Sequence, residues 1–309
     1  MTPASSPDAA TALLFPGQGS QRVGMGRRLA AEHPVAQATM AEADDALDFP
    51  LSRLCFEGPE AELTRTEFCQ PAILAVSIAQ WRALGAARDL RPQWLVGHSL
   101  GEYAALVVAG ALEFRDAIRL VRLRGRAMQA AVPEGVGAMA AIVGLDDAAV
   151  TEICAEAAGG EVVSPANFNG AGQIVVAGHR AAVERVMQAA KVAGGRVIPL
   201  AVSAPFHCAL MAPAAAELAS ALDGVEIETP AIPIVTNVEA TLNTDPARVR
   251  ALLVAQVTAP VRWAESMRLL QSLGCRRAFE VGSGQVLTKI LQRMKLGIEG
   301  RAMEDEGKP

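Results

Sequence analysis

The residues best placed for chemistry lie in Val96-Gly97-His98-Ser99-Leu100-Gly101-Glu102-Tyr103. Trp94-Leu95-Val96 reads as a short buried strand and Leu100 to Ala109 as a helix, so Ser99 falls on the turn between them. Gly97 and Gly101 flank it at G-x-S-x-G spacing, as a nucleophile elbow requires, because a strand reversing sharply into a helix leaves no room for a β-carbon at those two positions. Such a turn lifts the serine hydroxyl clear of the fold. It also aims the first free N–H groups of the helix, that of Leu100 above all, at the place where an oxyanion would form. The five-residue pattern alone is weak evidence, since glycine and serine are common.

A second candidate is a charge. In the helix expected from Phe114 to about Ala131, Arg115, Arg119, Arg122 and Arg126 fall on one stripe at about 100° per residue. Arg124 points the other way, with Ala117, Leu120, Val121 and Met128. A guanidinium on an apolar face is costly unless paired. By periodicity alone its partner is an internal carboxylate, a snorkelling path to water, or an anionic substrate held by the planar fork.

The elements that position these residues alternate in type. Thr11 to Phe15 reads as a strand entering the loop Pro16-Gly17-Gln18-Gly19-Ser20-Gln21. Position 22 is arginine and no Gly-Lys-Ser/Thr follows, so neither the dinucleotide nor the Walker pattern is met. His33 to Ala87 is helical with breaks expected at Pro34, Pro59 and Pro71, and Ile73, Leu74, Ile78 and Trp81 form its apolar stripe. From Val136 to Val202 the order is β-α-β-β-α-β, a ferredoxin-like insert, with Asp146 as a helix cap and a turn expected at Asn167-Phe168-Asn169-Gly170. The C-terminal third returns to alternation: strands at 232–238 and 277–281, and helices at 246–257, 261–273 and 284–294. The fold expected is α/β: a large α/β-hydrolase-like domain with mostly parallel sheet (11–135 and 205–298) and the small domain 136–204 inserted in it. Residues 1–10 and 300–309 are expected to be flexible tails.

Composition narrows the classes. Half of the 309 residues are apolar, and the formal charge of −5 with one tyrosine argues against nucleic-acid binding. No secretory signal or membrane-length apolar run is read, and five scattered cysteines without a C-x-x-C pair suggest reduced thiols in a cytoplasmic protein. Four histidines without H-E-x-x-H make a zinc site, and any metal or cofactor, an unexpected feature.

The extended stretch Gly97 to Tyr103 resembles the active-site signature of the malonyl-CoA:acyl carrier protein transacylases and the related acyltransferase domains of fatty acid and polyketide synthases. Further matches occur in order through about Met294. Gly17-Gln18-Gly19-Ser20-Gln21 resembles the loop whose backbone, here Gln18, supplies the other oxyanion N–H. Leu123 to Gln129 resembles the helix whose arginine, here Arg124, binds the malonyl carboxylate. Ser203-Ala204-Pro205-Phe206-His207-Cys208 resembles the segment of the catalytic histidine, here His207. Gln256 to Trp263 resembles the stretch in which a carbonyl, here that of Gln256, accepts the imidazole N–H. Phe279 to Gly284 matches a further segment.

The resemblance implies ping-pong transfer of malonyl from malonyl-CoA to the phosphopantetheine thiol of an acyl carrier protein through malonyl-Ser99, with no membrane or nucleic-acid partner. Phe206 and Met128 are candidate specificity residues, and Phe206 with Leu100 resembles the malonyl-selective members. A methyl group is worth about 1–3 kcal/mol in a pocket and a buried unpaired charge about 3–5 kcal/mol, so acetyl should be rejected more firmly than methylmalonyl. An acidic carrier would want a basic rim, for which Lys191, Arg276 and Arg277 are candidates. The alternatives are a free-standing polyketide acyltransferase, a serine esterase or thioesterase, and a non-enzymatic carrier-binding scaffold.

Overall fold

The computed structural model describes residues 10–85, 90–202 and 204–303. Ala87, Ser203 and the two ends, 1–9 and 304–309, fall outside them. Among the described residues the strands are β1 (Thr11–Phe15), β2 (Trp94–Gly97), β3 (Gly137–Val143), β4 (Val163–Gly170), β5 (Gln173–His179), β6 (Arg196–Pro199), β7 (Ile234–Val235), β8 (Leu242–Asn243), β9 (Arg277–Glu280) and β10 (Glu299–Ala302). They form a mixed α/β structure with two sheets. The larger runs β10-β9-β1-β2-β7-β8, parallel except for the terminal β7–β8 pair, and the smaller runs β4-β5-β3-β6, antiparallel throughout.

Both faces of the large sheet are covered, as a parallel sheet requires. Leu13 and Phe15 of β1 pack with the helices that carry Met40, Leu74 and Val121, whereas Ala12 and Leu14 pack with Trp263, Met267 and Leu291 on the opposite side. The two-residue period of a strand thus divides one five-residue segment between two cores. The small sheet is divided likewise. Ile142, Ile174 and Val176 face its own helices, Asp147–Ala157 and Arg180–Val192. Met139, Ala141 and Ala177 join the main core. Beyond that face, Phe168 N–H donates to the Val261 carbonyl and Val261 N–H to that of Ala166, both at 2.9 Å, which ties β4 to the large sheet's side.

Several expectations are corrected. Pro71 does not break its segment: helix Thr66–Gln80 runs through it, with every residue but Glu67 buried. That packing outweighs the loss of one backbone hydrogen bond. The stretch 167–170 is not a turn but the end of β4, with bulges, and the hairpin reverses at Ala171-Gly172, both at positive φ. The strand expected at 232–238 shortens to two residues because Asn237 leaves the ladder to bond elsewhere. Residues 300–302, assigned to a flexible tail, belong to β10, the parallel edge strand beside β9.

No helix among the described residues is long and apolar enough to cross a membrane. All five cysteines are buried and free.

Candidate active site

The site lies at the carboxyl ends of β1, β2 and β7, where the loops of a parallel sheet converge. Ser99 follows β2 with φ 52°. This positive φ, rare for a side chain with a β-carbon, is made possible by close backbone packing. A β-carbon on Gly97 would lie 1.9 Å from the Gly101 carbonyl carbon, and one on Gly101 would lie 2.1 Å from the Phe15 carbonyl oxygen. The two glycines of the motif are therefore spacing requirements that let β2 fold back on its helix and that helix sit on β1.

His207 also has positive φ, 60°. Its Nε2 is 2.7 Å from Ser99 Oγ. Its Nδ1 lies 2.8 Å from the Gln256 carbonyl and 3.2 Å from that of Ala259. Both acceptors are carbonyls, so Nδ1 carries the proton and Nε2 offers its lone pair to the serine hydroxyl. Burial, reinforced by the nearby Arg124 charge, pushes the imidazole down to about 3, against which the Gln256 hydrogen bond acts. The ring is therefore a neutral acceptor at any ordinary pH.

Arg124 is 1% exposed. Its Nη1 donates to Gln70 Oε1 at 2.7 Å, and its Nη2 to Gln256 Oε1 at 2.9 Å and to Ser99 Oγ at 3.1 Å. Among the described residues Nε has no acceptor and no carboxylate comes within ion-pair distance. Gly125 permits the approach, because a β-carbon there would meet the Thr66 carbonyl at 2.5 Å and separate the arginine helix Phe114–Ala130 from the helix that carries Gln70. The internal ion pair is thus replaced by neutral amides, which fix the fork and leave its charge available.

Gln18, Leu100, Met128 and Phe206 line one cavity of about 110 Å³ together with Ser99, Arg124 and His207. The backbone N–H groups of Gln18 and Leu100 have no acceptor among the described residues. That of Ser99 is occupied by Asn237 Oδ1 at 2.7 Å, so it is not an oxyanion donor here. Arg276 and Arg277 fall elsewhere. Arg277 pairs with Thr11 at the amino end of the sheet, a strand length from Phe15 and Gly97, so neither forms a rim of this cavity.

Four polar residues of the site were not singled out, or not for this part, in the sequence. Gln70 holds the arginine. Glu102, 4% exposed, accepts Gln256 Nε2 at 2.7 Å and the Asn237 N–H at 3.2 Å, and burial raises its carboxyl to about 7. Asn237 brackets the elbow. Asn169 Oδ1 lies 3.0 Å from His98 Nε2, joining the small sheet to the elbow. The available signal was a polar residue inside an apolar run, as in Cys69-Gln70-Pro71-Ala72-Ile73.

Residues 12–295 match the family described as the acyl transferase domain. The chain is 49% identical over 284 residues to the malonyl CoA-acyl carrier protein transacylase of Escherichia coli K12, covering 92% of each chain. Among solved structures it resembles an acyl carrier protein S-malonyltransferase from Vibrio cholerae, with TM-score 0.93, 48% identity, and 95% and 96% of the two chains covered. It also resembles a malonyl-transacylase solved in complex with a type II polyketide synthase acyl-carrier protein, with TM-score 0.92, 47% identity and 95% of each chain covered.

Proposed function

This chain belongs to the acyl transferase domain family, and within it we propose a malonyl-CoA:acyl carrier protein transacylase that supplies extender units for fatty acid synthesis. The observation that carries the reading is the buried fork of Arg124, 3.1 Å from a serine hydroxyl that is itself 2.7 Å from a neutral imidazole. A serine beside a base suits any acyl ester. A desolvated cation beside it, held by neutral groups, selects an acyl group that ends in a carboxylate.

Ser99 Oγ attacks the malonyl thioester carbon while its proton passes to His207 Nε2. The N–H groups of Gln18 and Leu100 receive the oxyanion, and Arg124 holds the distal carboxylate. Collapse breaks the C–S bond, and the CoA sulfur leaves with the proton from His207. In the second half the phosphopantetheine thiol of the carrier gives its proton to His207 and attacks the malonyl-serine ester, whose oxygen recovers that proton. The Gln256 carbonyl orients the ring in place of a carboxylate, which also argues against an ordinary esterase triad.

Phe206 and Met128, both buried at the cavity wall, are the specificity residues of this reading. The large sheet with its loops at one end supports the hydrolase-like description of residues 11–135 and 205–298. The order β4-β5-β3-β6 supports the ferredoxin-like description of 136–204. No metal or cofactor enters any step, and the reaction is placed in the cytoplasm. Lys191 remains the candidate for contact with an acidic carrier, and Lys191→Glu should raise the carrier's KM; an unaltered KM removes that contact.

The decisive experiment separates the two halves. Enzyme incubated with malonyl-CoA and freed of CoA should carry one malonyl group and surrender it to added holo acyl carrier protein, and Ser99→Ala should do neither. A malonyl-enzyme that yields free malonate at the same rate with and without the carrier would establish the hydrolase instead.

A further inference from the structure

Asn237 lies outside every motif used above, at the turn that follows β7, yet its one amide spans the strained elbow. Oδ1 accepts the Ser99 N–H at 2.7 Å, and Nδ2 donates to the Gly97 carbonyl at 2.6 Å. Its own backbone is held on both sides, its N–H by Glu102 Oε2 at 3.2 Å and its carbonyl by the Arg262 N–H at 3.0 Å. The residue is 1% exposed, so no water takes over these bonds.

We propose that Asn237 is a positioning residue that clamps the nucleophile elbow, bracketing Ser99 so that its positive φ, and with it the Oγ position between His207 and the oxyanion donors, is maintained. A left-handed serine persists only where its surroundings over-determine it. The glycine contacts prevent collision but supply no attraction; Gln256 Nε2 donates to the Ser99 carbonyl at 3.1 Å, and the Asn237 amide satisfies a donor on one side of the serine and an acceptor on the other. Through Glu102 the clamp is continuous with Gln256, whose carbonyl holds His207 and whose side chain holds Arg124.

The clamp needs a donor and an acceptor at once, and this gives a test that simple packing would not pass. Asn237→Asp keeps the shape. Ionised, it can accept from Ser99 but sets a negative oxygen against the Gly97 carbonyl; protonated, it restores both bonds. The titratable and charged groups around it are Glu102 from the elbow helix Gly101–Val108, Glu239 two residues on in its own turn, paired with Arg248, Arg262, which bonds the carbonyls of that turn and pairs with Glu265, Arg124 behind Gln256, and His98 next to Gly97 with its ring turned to Asn169. Burial at a position 1% exposed disfavours a carboxylate there, and above about pH 7 the ionised Glu102 adds to this, so the acid form is expected to reach into the assay range.

Malonyl-serine formation is followed by intact mass in rapid-quench experiments between about pH 5 and 8, each variant being divided by wild type at the same pH. The proposal rests on the acyl-serine reading, and Ser99 malonylation by wild type run in parallel secures that reading, so a deficit confined to the variants reports on the clamp. Asn237→Ala is expected to lose about 100-fold in acylation rate, the scale of an ångström's misplacement, with malonyl-CoA KM within about threefold of wild type. The Asn237→Asp ratio is expected to rise at least about tenfold towards acid. A folded Asn237→Ala at the wild-type rate, or a pH-independent Asn237→Asp ratio, overturns the clamp. If Asn237→Ala does not fold, the Asn237→Asp ratio decides. In wild type the Ser99 amide should resist hydrogen exchange like a core amide, and exchange at the rate of an exposed loop overturns the proposal without any variant.

Discussion

The arginine helix Phe114–Ala130 carries the same side chain into two environments. On its outer stripe Arg119 Nε donates to the Ala46 carbonyl at 3.1 Å and Arg122 Nη1 to that of Leu47 at 3.0 Å, capping the end of helix Pro34–Leu47. Arg122 also lies over the Phe49 ring at 5.1 Å, and Arg126 meets Glu217 at 3.5 Å. These charges are partly solvated and join one helix to its neighbours. Arg124, on the other face, has lost its water and gained two amides, the serine hydroxyl and the Tyr103 ring at 5.8 Å, with no carboxylate at ion-pair distance among the described residues. An arginine's role therefore follows from what neutralises it. Outside, the protein and solvent do so; inside, the fork is aligned but its charge awaits an anion.

The two environments should separate most widely at Arg124. Arg124→Ala should lower kcat/KM for malonyl-CoA by about 10²–10³-fold, corresponding to about 3–4 kcal/mol for a buried charge pair left incomplete. Arg126→Ala should remain within about twofold in the same steady-state assay. A comparable loss in both would erase the distinction.

Acid titration sharpens it next, because the Arg124 charge contributes to holding His207 neutral. The unfolded imidazole ionises near 6.5 and the folded one at about 3, so between these values the unfolded chain binds more protons. The stability from this group is fully present above about pH 6.5 and is lost as pH falls towards 3. Thermal unfolding of wild type should therefore worsen between about pH 6.5 and 4 by up to a few kcal/mol more than that of His207→Gln. Parallel curves would contradict the buried neutral ring. Glu102 acts with the opposite sign. Its carboxyl is raised from 4.5 to about 7 by burial, so its contribution is present below about 4.5 and is lost as pH rises through 7, a slope that Glu102→Gln should flatten.

Smaller effects separate alignment from structure. Gln70→Leu removes one charged hydrogen bond, and a loss of about ten- to thirtyfold in malonylation is expected, with little change in Tm beyond that of a core exchange. Arg122→Ala should do the reverse: activity within about twofold and a Tm lower by about 2–4 °C, for about 1 kcal/mol of capping and ring contact.

The sequence made some parts of this arrangement legible and hid others, for physical reasons. Ser99 was readable because Gly97 and Gly101 are forced by short-range backbone contact, and local constraints leave local signatures. The inward direction of Arg124 followed from helical periodicity, and its selection of a carboxylate from resemblance. Asn237 was not readable as part of the site: its bonds to the elbow span about 140 positions, and an asparagine after a strand looks like any turn former. Pro71 misled because tertiary burial overrides a local breaker. β10 was missed because Glu299-Gly300-Arg301-Ala302 has no apolar alternation, and its strand state comes from pairing with β9. The placement of Arg276 and Arg277 depended on which end of the sheet faces the site, which charge counting does not encode.

Arg124 provides the charge that selects the acyl group. Wild type and Arg124→Ala are each offered equal concentrations of malonyl-CoA and acetyl-CoA, and the acyl-Ser99 adducts are resolved by intact mass. Wild type should carry malonyl almost exclusively, whereas Arg124→Ala should lose most of that adduct and show a malonyl-to-acetyl ratio at least about 10²-fold lower, as removal of a buried charge partner requires. A ratio unchanged in Arg124→Ala would contradict the account, because the carboxylate would then be recognised elsewhere.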